Sequence, residues 1–106
     1  MRSRFYLIAI AGLLLGNGAV DVRAETIRVT IEKMAFVPAE IEARVGDTIE
    51  WVNRDILVHT ATSNGGGEVL IPAKKTASFV VGESGQVDYY CRFHPNMKGR
   101  ISVTKP

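Results

Sequence analysis

The sequence predicts an all-β protein, a β-sandwich preceded by a short cleavable leader. Three observations carry that reading. Apolar and polar residues alternate with period two from Thr26 onward. No helical stripe of roughly ten residues, the length a helix needs, is present. Turn clusters recur at near-regular spacing, among them Gly46-Asp47, Asn64-Gly65-Gly66-Gly67 and Gly82-Glu83-Ser84-Gly85.

The elements follow in order. Met1-Arg2-Ser3-Arg4 is a positive start, Phe5 to Leu15 is apolar, and Gly16-Asn17-Gly18 breaks the run. Val22-Arg23-Ala24 then completes the order of a secretory signal. The apolar run is well short of the roughly 20 residues that cross a bilayer. Residues 1–24 are therefore expected to be an export signal and residues 25–106 one domain, with no membrane span in the mature protein and a periplasmic location. In that body Ile27, Val29 and Ile31 alternate with Thr26, Arg28, Thr30 and Glu32, a half-buried strand. Met34 to Pro38 leads out of it. Ile41, Ala43 and Val45 alternate with Glu40, Glu42 and Arg44, and Gly46-Asp47 turns the chain. Thr48 to Asn53 is a third strand, with Ile49 and Trp51 on one face. Val58 to Thr62, Thr76 to Val81, Val87 to Cys91 and Arg100 to Thr104 complete about seven strands, the count of an antiparallel sandwich or barrel.

Charge and size narrow the function. The net charge of +2 comes from the leader, where Arg2, Arg4 and Arg23 face only Asp21. The body carries 10 basic and 10 acidic side chains. A balanced body lacks the dense basic face that binds nucleic acid. A single cysteine excludes an intramolecular disulfide. So small a domain has a thin core, and a bound metal is one candidate for the missing stability.

Cys91-Arg92-Phe93-His94-Pro95-Asn96-Met97 offers a thiolate, an imidazole and a thioether spaced three apart, between two strands. The only other histidine is His59, in a β-rich stretch. Zinc makes little use of a thioether, and calcium and magnesium take oxygen ligands. Two imidazoles, one thiolate and a weak methionine match a blue-copper electron-transfer site. Taken singly, Met97 reads as core filler, His59 and His94 as ordinary histidines, and Cys91 as a small buried hydrophobe. An exported protein, however, exposes a lone thiol to oxidation, so its presence beside His and Met asks for a reason. A Cys/His nucleophile pair is the rival, but it needs a cleft between lobes that this length scarcely allows. With all four positions filled by protein, no open site remains for a substrate, so an enzyme is not expected.

These residues resemble the cupredoxins, the type 1 blue copper proteins, and most closely their amicyanin branch, with plastocyanin and pseudoazurin more distant. The likeness covers nearly the whole body. It is carried by Val45-Gly46-Asp47-Thr48-Ile49-Glu50-Trp51-Val52-Asn53-Arg54, by His59 six residues after Asn53, by Asp88-Tyr89-Tyr90-Cys91 and by the compact Cys-x-x-His-x-x-Met. The resemblance implies a Greek-key sandwich with one copper ion at one end, cycling between Cu(I) and Cu(II). It implies His59, Cys91 and His94 as the trigonal ligands and Met97 as the weak axial one. It also implies that Asn53 ties the strand of the first ligand to the cysteine loop. The branch carries Thr after the cysteine and Pro before the second histidine, where this sequence has Arg92 and Phe93.

By the same resemblance His94 is the electron port in an apolar rim, for which Leu57, Ile71, Pro72, Phe93 and Pro95 are the candidates. Arg92, Lys98 and Arg100, with Lys74 and Lys75, are candidates for steering an acidic partner. The implied partners are redox proteins such as a periplasmic dehydrogenase and a c-type cytochrome, met by a monomer. A periplasmic copper carrier is the alternative, although the sequence lacks the Met or His clusters that such a role favours.

Overall fold

Alternation becomes burial in the computed structural model, which describes residues 23–106. The strands are β1 (Thr26–Glu32), β2 (Ala35–Val37), β3 (Glu40–Arg44), β4 (Thr48–Asn53), β5 (His59–Ser63), β6 (Glu68–Ile71), β7 (Thr76–Val80), β8 (Gly85–Cys91) and β9 (His94–Thr104). One sheet has the order β3-β9-β8-β5-β6 and the other β2-β1-β4-β7. The two form the expected cupredoxin-like sandwich, with no helix among the described residues. The predicted leader lies outside the described residues except for Arg23 and Ala24.

Inward-facing residues of both sheets make one core. Val29, Ile31, Ile49 and Trp51 come from the four-stranded sheet, and Ile41, Ala43, Tyr89, Cys91, Ile101 and Val103 from the other. Trp51 Nε1–H donates to the Tyr89 hydroxyl at 3.2 Å, which satisfies a buried donor between the sheets. The Tyr89 ring meets Phe36 and Trp51 edge-on, with centroids 4.8 and 5.7 Å away. Gly99 pairs with Tyr89 across the β8–β9 ladder, and a Cβ there would overlap the tyrosine ring.

The structure corrects the sequence reading in four places. Ala35–Val37, expected as a lead-out, is a strand paired antiparallel with β1 through a tight turn at Lys33 and Met34. Three residues are too few to display a period. Glu68–Ile71 is an unforeseen edge strand paired with β5; only Ile71 is buried, so it shows little alternation. The sandwich is not purely antiparallel, because β1 pairs parallel with β4 and β3 parallel with β9. A side-chain period reports the buried face and is silent on the direction of the neighbour. Finally, the last strand begins at His94, not Arg100, and its register with β8 breaks between His94 and Lys98. That irregularity leaves Pro95, Asn96 and Met97 off the ladder, so the turn between Cys91 and Met97 keeps its own shape.

Candidate metal centre

The site begins with strand parity. On β5, His59 and Ala61 point inward; on β8, Tyr89 and Cys91 do. The two strands are neighbours in the five-stranded sheet, so both candidate ligands arrive at the same end of the core. The tight turn after Cys91 returns His94 to the thiol. One donor atom from each of His59, Cys91 and His94 falls within 4.8 Å of the others. Cys91 Sγ lies 3.6 Å from His59 Nδ1 and 3.7 Å from His94 Nδ1. A first-row ion bonded at about 2.3 Å to sulfur and about 2.0 Å to nitrogen spans such separations at an angle near 115°. The two sulfur–nitrogen separations thus suit a single ion, and two imidazoles with one thiolate make the donor set one suited to copper. His59 and Cys91 are fully buried, whereas His94 is partly exposed. Met97, three residues on, is buried in the same core cluster as Cys91.

His59 is held from behind. Its Nε2 lies 2.8 Å from Asp55 Oδ2. A carboxylate only accepts, so Nε2 carries the proton and Nδ1 keeps the lone pair that faces Cys91. Asp55 Oδ1 accepts the Lys33 N–H at 2.8 Å, and Oδ2 accepts the Met34 N–H at 3.1 Å. Burial pushes the Asp55 carboxyl up, but the His59 hydrogen bond and the two backbone N–H groups outweigh it and leave it below the usual carboxylate range. Lys33 and Met34 adopt left-handed φ values of 54° and 61°, unfavourable for side chains of their size, and the carboxylate compensates by capping both.

Asn53 is buried, but its bonds differ from those the resemblance implied. Its Nδ2 donates to the carbonyls of Leu57, Ile71 and Pro72 at 2.9, 3.2 and 3.1 Å, and its Oδ1 accepts the Asp55 N–H at 2.9 Å. It fastens the approach to His59 onto the end of β6, not onto the cysteine turn. The short asparagine side chain points inward from β4 and is used up by those nearer carbonyls. The tie to the turn is made by Thr60 instead, whose Oγ1 accepts the Arg92 N–H at 2.8 Å.

The proposed rim divides. Leu57, Pro72, Phe93 and Pro95 are exposed. Ile71 is fully buried and pairs with His59 in the β5–β6 ladder, so it is a core residue and not part of a docking surface. Ile56 and Val58, which the sequence reading passed over, are exposed beside Leu57. Two of the five proposed steering charges, Arg92 and Arg100, are paired with carboxylates, while Lys74 meets only a neutral carbonyl. Arg92 forms a two-pronged pair with Glu68, with Nε and Nη2 each 2.9 Å from an oxygen. Arg100 Nε lies 2.8 Å from Asp88 Oδ1, and Lys74 Nζ donates to the Arg54 carbonyl. The Arg92 guanidinium, helped by the Thr62 hydroxyl, pulls the Glu68 carboxyl down to about 2. Asp55 had a sequence signal, a carboxylate four residues before His59. Thr60 and Glu68 had none.

Comparison with known proteins agrees with this geometry. The chain is 32% identical over 93 residues to amicyanin of Paracoccus versutus, covering 80% of this chain and 70% of that one. It is 33% identical over 92 residues to amicyanin of Paracoccus denitrificans, with the same shares. The crystal structure of Paracoccus versutus amicyanin superposes with a TM-score of 0.64 at 30% identity, covering 79% of this chain and 86% of that one. The oxidised state of an amicyanin mutant gives 0.67 at 31%, covering 74% and 82%. A family model described as a cupredoxin-like domain matches residues 5–103, almost end to end, and the chain belongs to that family.

Proposed function

We propose that this chain is an exported type 1 copper protein that carries single electrons between redox proteins, in which His59, Cys91, His94 and Met97 would hold the ion. The observation that carries the reading is the convergence of two ring nitrogens on one buried thiol, 3.6 and 3.7 Å away. When bound, copper supplies a one-electron couple between Cu(I) and Cu(II). The chain supplies the rest. Asp55 holds the proton on His59 Nε2 and so directs Nδ1 inward. Burial of His59 and Cys91 keeps water from the thiol. His94 is the one nitrogen donor of the three residues that reaches the surface, between exposed Phe93 and Pro95, which makes it the port for the electron.

An apolar rim at Leu57, Pro72, Phe93 and Pro95 suits brief contact with a redox partner, such as a periplasmic dehydrogenase or a c-type cytochrome. Ile56 and Val58 extend it. The related amicyanins support electron carriage and not catalysis. Residues 1–24 serve as the export signal and residues 25–106 as the domain. The Glu25 N–H already rests 2.9 Å from Asp47 Oδ1, a seat that a new amino terminus at Glu25 would occupy as an ion pair.

The test is the visible spectrum of the copper-loaded protein. An intense blue charge-transfer band that vanishes in Cys91→Ser is the expected result. A colourless complex, or a band that survives the substitution, rejects the assignment.

A further inference from the structure

The backbone ladder between β5 and β8 pairs Ser63 with Tyr89 and Thr62 with Tyr90, and it extends no further toward the metal centre. Beyond it the turn carrying Cys91, Phe93 and His94 is held to β5 and β6 by side chains. Arg92 N–H donates to Thr60 Oγ1 at 2.8 Å, and Thr60 and Thr62 share a hydroxyl bond of 2.8 Å. Thr62 donates to Glu68 Oε1 at 2.7 Å, and the Arg92 guanidinium grips both Glu68 oxygens at 2.9 Å. Because Thr62 gives its proton to the carboxylate, Thr60 must give its own to Thr62. The proton order is then unambiguous and the ring closes on Arg92, which donates at both ends. The same guanidinium lies 4.5 Å from the centre of the Phe93 ring.

An isolated surface ion pair contributes little. This one is two-pronged and continues into a network with a fully buried member, Thr60, the residue after His59. We infer that Arg92 and Glu68, through Thr62 and Thr60, are positioning residues that lock the Cys91–His94 turn onto the strand carrying His59. On this account the ligand atoms stand ready before metal arrives and move little afterwards. The inference rests on the proposed metal function, yet the lock itself is readable without metal.

The experiment uses Arg92→Gln and Glu68→Gln, each in metal-free and copper-loaded form, with Arg92→Lys as a third variant that keeps the charge and loses the fork. In metal-free protein the Arg92 amide is expected to exchange with solvent about tenfold faster in both Gln variants, while the Ile49 amide in the core is unchanged. In loaded protein the charge-transfer band and the reduction potential are expected to move, and copper to leave about tenfold faster. Arg92→Lys should restore neither. Arg92 amide exchange within about twofold of the natural protein overturns the inference. So does equal acceleration at Ile49, which would mean that the pair merely supports the fold, or a band and potential that stay fixed in both Gln variants. If the metal-free amide responds as expected but the natural protein never turns blue, the lock stands and the copper reading falls.

Discussion

Asp55 performs two tasks with one carboxylate: it caps the left-handed Lys33–Met34 turn and holds His59 in the tautomer that faces Cys91. Asp55→Asn keeps the shape but replaces one of the two acceptor oxygens that serve three donors with an N–H group. Copper affinity should fall by about 10–100-fold, the usual effect of losing a partner behind a ligand, as measured by chelator competition. An affinity unchanged by Asn would mean that His59 needs no such hold. Glu68 makes a prediction about pH. Its carboxyl is pulled from 4.5 down to about 2 by Arg92 and Thr62, so its contribution is complete above the ordinary value and is lost as pH falls through the lowered one. The thermal midpoint of the metal-free protein should exceed that of Glu68→Gln at neutral pH, and the gap should close between about pH 4.5 and 2. A gap as large at pH 2 as at neutral pH would mean that ionisation of Glu68 is not its source. At this scale the sequence was partly legible. His59, Cys91 and His94 stand out by donor chemistry and spacing. Glu68 and Thr60 do not, because their roles depend on which strands lie side by side.

Among the elements, β8 and β9 carry the most constraint, since their ladder positions both Cys91 and the turn to His94. Gly99 is there because the Tyr89 ring fills the space of its missing side chain. Gly99→Ala should destabilise the protein by about 1–3 kcal/mol, the usual cost of forced overpacking, read from urea unfolding. A variant as stable as the natural protein would show that the ring moves aside freely. Long alternating strands such as β1, β3 and β4 could be read from sequence because each buries every second residue. β2 and β6 could not, having one buried residue apiece. Ile71 was misread for the same reason, as part of an apolar rim facing a partner, although its pairing with His59 places it in the core.

For the whole molecule, the distribution of charge bears on partner choice. The body has equal numbers of acidic and basic side chains, and Arg92 and Arg100 are committed to Glu68 and Asp88. Electron exchange with a redox protein should therefore change by less than about threefold between roughly 10 and 150 mM salt. A steep decline with salt would restore the steering role first assigned to the basic residues. Composition and order alone determined that the body from residue 25 onward is all-β, which faces of its long strands are buried, and which soft and nitrogen donors are available, because these follow from period and side-chain chemistry. Only the tertiary structure decided which strands run parallel, that Asn53 fastens β6 while Thr60 reaches the turn, that Ile71 is core, and that Arg92 is clamped. Those outcomes depend on contacts between segments distant in the chain, and no local pattern encodes the distance at which two such segments meet.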